Sequence, residues 1–262
     1  MPAKSTNPVD YQDVPRPVAV MAKNFDHNHT TGWHSHKRAQ LVFASSGVMV
    51  VKTHEGTWVI PPQRAVWVPG GMEHETSTIG AVEMRTVYVS PRVAQTFSKH
   101  CCVVNVSELL RALILRASAL PLAYKRQGRD ARVMQMILDE IQASKTLPLH
   151  LPTPRNRRLA QLCSAIVATQ DTAPTLSKLT KQVGMSKRTA ERLFVRETGM
   201  TFSRWRQQAR LLTALTQLAS GHSVKQVAFK SGYTSQSAFS SMFKATFGTT
   251  PRRYFIDAKD SV

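Results

Sequence analysis

The chain has 262 residues, 42% of them hydrophobic, enough for one or two domains with cores of their own. Thirty-five Lys and Arg against 16 Asp and Glu give a net charge of +19, which favours a polyanionic partner. Three cysteines, two of them adjacent, do not make a disulfide framework, and no run of about 18 apolar residues is present to span a membrane.

The amino-terminal stretch MPAKSTNPVDYQDVPRPVAV lacks the apolar run of a signal peptide, so the chain reads as cytoplasmic, without a membrane partner. Residues 33–90 read as β structure. The runs QLVFAS, VMVVKT, TWVIP, AVWVP and MRTVYVS alternate with the turn signals SSG, HEG, PPQ and PGGMEH. Short strands at this spacing suggest a small sandwich or barrel. The adjacent thiols Cys101 and Cys102 open CCVVNV, which reads as a buried strand rather than a redox or metal site.

Residues 107–145 change to helical periodicity. Leu109, Leu110, Leu113 and Ile114 form one apolar stripe, and Val133, Met136, Ile137 and Ile141 another. These stripes suit either packing onto the β domain or a homodimer interface. TLPLHLPTPRNRR then combines three prolines with a basic cluster, the composition of a linker. The expected organisation is α+β in two domains: a β-rich domain with following helices over 1–145, a linker over 146–158, and an all-α domain over 159–262. Residues 1–150 hold 17 Lys and Arg against 11 Asp and Glu, and residues 151–262 hold 18 against 5. The polyanion site is therefore expected in the second domain.

That domain contains a degenerate duplication. LTKQVGMSKRTAERLFVRETG at 179–199 parallels VAFKSGYTSQSAFSSMFKATFG at 227–248, with Gly184 matching Gly232. Ser186, Phe194 and Gly199 match Ser235, Phe243 and Gly248, the second turn being one residue longer. Each copy reads as helix, glycine turn and Ser-capped helix, which is the helix-turn-helix layout, with units over about 175–199 and 223–248. Between them TFSRWRQQARLLTALTQLASG predicts a helix over about 201–220, with Trp205, Ala209, Leu212, Leu215 and Ala219 on one face and Arg206 and Arg210 elsewhere. Such a helix is about 30 Å long, close to the roughly 34 Å between successive major grooves on one side of DNA.

In the first groove helix Ala190, Leu193 and Phe194 point inward, leaving Lys187, Arg188 and Arg192 outside, where Arg suits bidentate bonding to guanine. In the second, Phe239, Met242 and Phe243 point inward, leaving Gln236, Ser237, Ser240, Ser241 and Lys244. Gln can read adenine, Ser is permissive and Lys suits a phosphate, so most direct base readout is expected from the first helix.

SKRTAERLFVRETGMTF, the linking helix and VAFKSGYTSQSAFSSMFKATFGTTPRRY together resemble the DNA-binding domain of the AraC/XylS family. The resemblance implies a double helix-turn-helix domain that binds double-stranded promoter DNA, with Arg188, Arg192, Gln236, Ser237 and Ser241 at base-reading positions. Two residues depart from the family pattern: Thr180 stands where Ala is common, and Ser241 where Arg is frequent. The first domain resembles the cupin-type sensor domain of part of this family. His34 and His36 begin an H-x-H-x3-Q-x6-G pattern ending at Gly47, and Pro69-Gly70-Gly71-x-x-His74 resembles the second cupin motif. This resemblance implies a small cupin-like β-barrel that binds an effector. Metal-binding cupins hold one divalent ion with three His and a Glu; the matching positions are His34, His36, Gln40 and His74, with neutral Gln replacing the carboxylate. The imidazoles suit zinc, iron or nickel, and an apo pocket for an organic ligand is the alternative. His27 and His29 form a second H-x-H that reads as a solvated loop.

The leading reading is a non-enzymatic transcription factor that answers to a small ligand or metal, with RNA polymerase as a further partner if it activates. A metal-dependent cupin enzyme fused to a DNA-binding domain is the alternative, against which Gln40 argues. Sequence-independent architectural binding is a third, against which the paired groove helices argue.

Overall fold

The β structure expected over 33–90 is realised as part of one antiparallel sheet, which also takes in Val18–Phe25, a strand ahead of that range that the sequence reading missed, in a computed structural model that describes residues 4–147, 149–168 and 174–256. Contacts divide the chain into two compact units, Met1–Thr53 with Trp58–Leu149 and His54–Thr57 with His150–Val262. The strands are β1 Val18–Phe25, β2 Ala39–Thr53, β3 Gly56–Ile60, β4 Arg64–Val68, β5 His74–Val89, β6 Cys102–Asn105 and β7 Thr146–Leu147, all in the first unit except the first two residues of β3. They run in the order β1-β5-β2-β4-β6-β7, with β3 on β2. Two of the expected strands, QLVFAS and VMVVKT, are one continuous strand. The SSG between them is a bulge: the β2–β5 register slips between Ala44 and Val48. Gly47 has φ +84°, and a Cβ there would strike the Ala81 carbonyl. An extra residue in one strand bends the pair without ending it.

Helices α1 Pro91–Ala94, α2 Glu108–Ser118 and α3 Arg129–Ala143 follow the sheet. Ser107 caps α2 by accepting from Leu110 N at 3.0 Å, and its hydroxyl donates to Glu140 of α3 at 2.6 Å. Leu110, Leu113, Ile114 and Ala117 are buried with Met134, Ile137, Leu138 and Ile141 against Val18, Leu41, Phe43, Trp67 and Val87 of the sheet. Both stripes are therefore shifted from the sequence expectation. Leu109 is 47% and Met136 42% exposed, each about 100° round its helix from a buried neighbour. In CCVVNV the valines are buried, whereas Cys101 and Cys102 are half-buried.

The expected linker carries structure. β7 pairs with β6, residues His150–Pro152 form β8, and α4 Arg157–Ala168 begins inside it. Leu149 is buried in the first unit, while Leu151 packs on the core of the second.

The second unit continues with α5 Leu176–Gln182, α6 Lys187–Thr198, α7 Phe202–Ala219, α8 Val224–Lys230, α9 Gln236–Phe247 and α10 Pro251–Ile256. The central α7 buries Leu211, Ala214 and Leu218 in addition to Trp205, Ala209, Leu212 and Leu215. It touches α4 and α6 on one side and α8 and α10 on the other, so it needs two apolar stripes where a surface helix has one. Among the described residues no helix is long and apolar enough to cross a membrane.

Candidate DNA-binding face and histidine cluster

The two helix-turn-helix copies close with the same backbone bonds. In the first, Met185 N donates to Thr180 O at 2.9 Å; in the second, Tyr233 N donates to Ala228 O at 3.0 Å. The glycine before each donor has positive φ, +62° at Gly184 and +83° at Gly232, a region that favours glycine. Ser186 Oγ then accepts from Thr189 N, and Ser235 Oγ from Ala238 N, both at 3.1 Å, capping α6 and α9. Thr180 is 2% exposed, and its hydroxyl donates to Ser177 O at 3.1 Å, which satisfies the polar atom where Ala is usual.

Capping and turn thus orient both second helices. On α6, Ala190, Leu193 and Phe194 are buried, and Lys187, Arg188 and Arg192 are exposed. On α9, Phe239 and Phe243 are buried, Gln236, Ser237, Ser241 and Lys244 are exposed, and Met242, expected inward, and Ser240, expected outside, are both half-buried. Lys187 and Glu191 approach to 3.9 Å, an exposed pair that contributes little and leaves Lys187 available. On α7, Arg206 lies over the Phe202 ring and Arg210 against the Gly232 turn.

In the first unit, strand pairing brings the histidines together. His34 and His74 exchange backbone hydrogen bonds of 2.9 and 2.8 Å, which sets their side chains side by side. Gly71 N donates to His36 O at 2.7 Å and pins the Pro69-Gly70-Gly71 loop over the pair. Gly70 is required there, because a Cβ would lie 2.5 Å from the Lys37 carbonyl. The ligand-capable nitrogens of His34, His36 and His74 lie within 4.8 Å of one another. His27 and His29 are exposed and outside this group.

The ring orientations are set locally. His34 Nδ1 donates to Gly32 O at 2.8 Å and His74 Nδ1 to Met72 O at 2.9 Å, so each ring bonds the carbonyl two residues upstream. Each ring is thereby turned so that its Nε2 points away from that carbonyl, the orientation of rings whose other nitrogen ligates a metal. Burial, followed by the neighbouring His34 and His74, lowers the His36 pKa to about 4; burial holds His74 at about 4 as well. Gln40, 4% exposed, donates its amide to His74 Nε2 at 2.9 Å and so occupies that lone pair. The ring of Tyr88 also meets that of His36, edge to face, at 5.7 Å between centroids. The two backbone anchors and Tyr88 escaped the sequence reading, since a carbonyl contact leaves no mark on residue type and Tyr88 is placed only by pairing.

A duplicated, Ser-capped helix-turn-helix around a shared helix, together with a separate ligand-accessible β unit, defines a DNA-binding transcriptional regulator. Residues 22–202 match the AraC-like ligand binding domain, and residues 179–256 match a helix-turn-helix domain. The HTH-type transcriptional regulator NimR of Escherichia coli is 33% identical over 225 residues, 86% of this chain and 82% of its own. RipA of Corynebacterium diphtheriae is 34% identical over 108 residues, 41% of this chain and 31% of its own. The transcriptional activator RhaR of Mannheimia succiniciproducens is 34% identical over 80 residues, 30% of this chain and 29% of its own. The chain belongs to the AraC family of transcriptional regulators, with an amino-terminal sensor domain and a carboxy-terminal DNA-binding domain.

Proposed function

We propose that this regulator reads promoter DNA in two successive major grooves, with Lys187, Arg188 and Arg192 of α6 in one and Gln236, Ser237, Ser241 and Lys244 of α9 in the next. The repeated turn and cap on either side of α7 carries this reading. At 18 residues α7 is about 27 Å long, compatible with adjacent grooves. Footprinting on the gene's own upstream region should show two protected half-sites about 10.5 base pairs apart for one protomer. A homodimer covering Leu109 and Met136 would double them, and RNA polymerase is a further partner if the protein activates. Uniform protection of unrelated DNA would reject sequence-specific regulation.

The sensor unit, in this reading, regulates rather than catalyses and answers to a small ligand or divalent metal at His34, His36, Gln40 and His74. Three clustered imidazoles suit a metal that takes nitrogen ligands once the Gln40 amide gives up the His74 Nε2 lone pair it holds at 2.9 Å, and as a ligand Gln40 is poorer than a carboxylate. Protein purified without chelator is expected to carry near-stoichiometric metal by elemental analysis. His36→Ala should lose it, and Gln40→Glu should hold it at least about tenfold more tightly. Metal-free wild-type protein would leave only the organic-ligand reading of the cluster.

The second unit is proposed to fold independently, but not from the carboxy-terminal side of the expected linker. Trp205 Nε1, on a residue 2% exposed, donates to Pro152 O at 3.0 Å. A fragment starting at His150 should therefore be about 1–3 kcal/mol more stable to urea than one starting at Arg155, which leaves the buried indole unsatisfied. Equal midpoints for the two fragments would show that β8 contributes nothing.

A further inference from the structure

In the first unit, the segment Val14–Val18, α1 and the flank of α3 enclose a cleft of about 720 Å³, within the size range of small-molecule sites. Four arginines line it, Arg16, Arg38, Arg92 and Arg126, and neither Asp nor Glu does. No histidine lines it either, which separates it from the cluster described above. The rest of the lining is largely apolar and includes Val93, Met134 and Leu138.

Arg38 is the unusual member. It is only 3% exposed. Its Nε donates to Gln12 O at 3.0 Å, and its Nη2 donates to Val14 O and to Arg16 O, while Nη1 has no partner among the described residues. Carbonyl dipoles solvate a guanidinium without neutralising it. Asp13, which lies between these carbonyls in the chain, is exposed and paired with Lys37 at 3.0 Å. Asp13 acts on the Arg38 charge from a distance, without a hydrogen bond or ion pair to it; a buried cation with no anion in contact is costly, and its field reaches the adjoining cleft. Arg16 is held by Tyr124 O at 2.5 Å and lies over the Tyr124 ring. Arg92 and Arg126 are exposed at the cleft and make no hydrogen bond or ion pair among the described residues, so their donors are available.

We propose that this cleft binds a small organic carboxylate with an apolar body, as a second ligand site of the sensor unit. Arg92 and Arg126 take the carboxylate through planar paired donors, Arg38 supplies a buried positive charge behind them, and Val93, Met134 and Leu138 cover the hydrocarbon. A bare inorganic anion would leave that apolar lining unused.

Isothermal titration calorimetry on the full chain, without DNA and with chelator present, tests this. The probes are 4-phenylbutyrate, its neutral amide and inorganic phosphate. Phenylbutyrate is expected to bind one per chain, with the amide and phosphate each at least about tenfold weaker. Arg92→Ala and Arg126→Ala, both exposed and harmless to folding, should each weaken phenylbutyrate about tenfold. Arg132→Ala, exposed on α3 outside the cleft, should change nothing. The proposal is overturned if the acid does not bind up to about 10 mM, weaker than an ordinary specific site. It is equally overturned if amide or phosphate matches the acid, or if both cleft variants bind like wild type. None of these outcomes bears on the DNA face or the histidine cluster, since neither DNA nor metal is present.

Discussion

Phe194→Ala is expected to cost the second unit about 3–5 kcal/mol, a large share of the 5–15 kcal/mol that keeps a domain folded. Phe194 is fully buried on the inner face of α6. Its ring meets Phe202 edge to face at 5.5 Å and Trp205 at 5.9 Å, both on α7, within a core that includes Leu159, Leu179 and Leu193. Truncation would leave a cavity where α6 rests on α7, and α6 would lose the support that holds Arg188 and Arg192 outward. Phe194→Leu keeps most of the volume and should cost less than about 1.5 kcal/mol. The core residues of the first unit form a separate cluster, so its unfolding transition should stay in place. Chemical denaturation followed by far-ultraviolet circular dichroism, with DNA titration alongside, reads both effects. An unshifted helical transition in Phe194→Ala would mean that this core does not hold the DNA-binding unit together.

Arg188→Ala and Arg192→Ala should each weaken binding to the preferred site by about 1–3 kcal/mol, the value of a bidentate base contact. The two side chains are exposed one turn apart on α6, opposite the buried Ala190–Phe194 face. The loss should be greater on the preferred duplex than on a scrambled one, because base contacts carry sequence information and phosphate contacts do not. Lys244→Ala should weaken both duplexes alike and reduce the log–log salt slope by about one unit. Ser241→Ala should change little. Titrations on both duplexes at several salt concentrations separate these outcomes; equal losses on the two duplexes for both Arg variants would reassign α6 to the phosphate backbone.

Much of the DNA-binding unit is legible from residue types, because its determinants act over a few positions. A Ser two residues after Gly184 and three after Gly232 caps the next helix whatever surrounds it, and the inward face of α6 follows from a period of 3.6. Met242 escapes that rule, being half-buried where it was expected inward. On α2 and α3 periodicity identified helices but chose partly wrong stripes. Leu109 and Met136 are as apolar as their neighbours, and only the sheet behind the helices decides which residues it covers.

The sequence by itself determined the duplicated helix-turn-helix, most of the residues its second helices expose, Ser240 being half-buried instead, and a β unit bearing His34, His36 and His74, since caps, turns and side-chain alternation are local. Tertiary structure alone decided the rest. Only the pairing of His34 with His74 sets these rings beside each other, and only burial places the Gln40 amide on His74 Nε2. The arginine cleft has no local signature at all, because Arg16, Arg38, Arg92 and Arg126 lie far apart in the chain and meet through long-range packing. The physical reason is that a turn or cap is satisfied within a few residues, whereas the partner of a buried charge or ring is set by the whole fold.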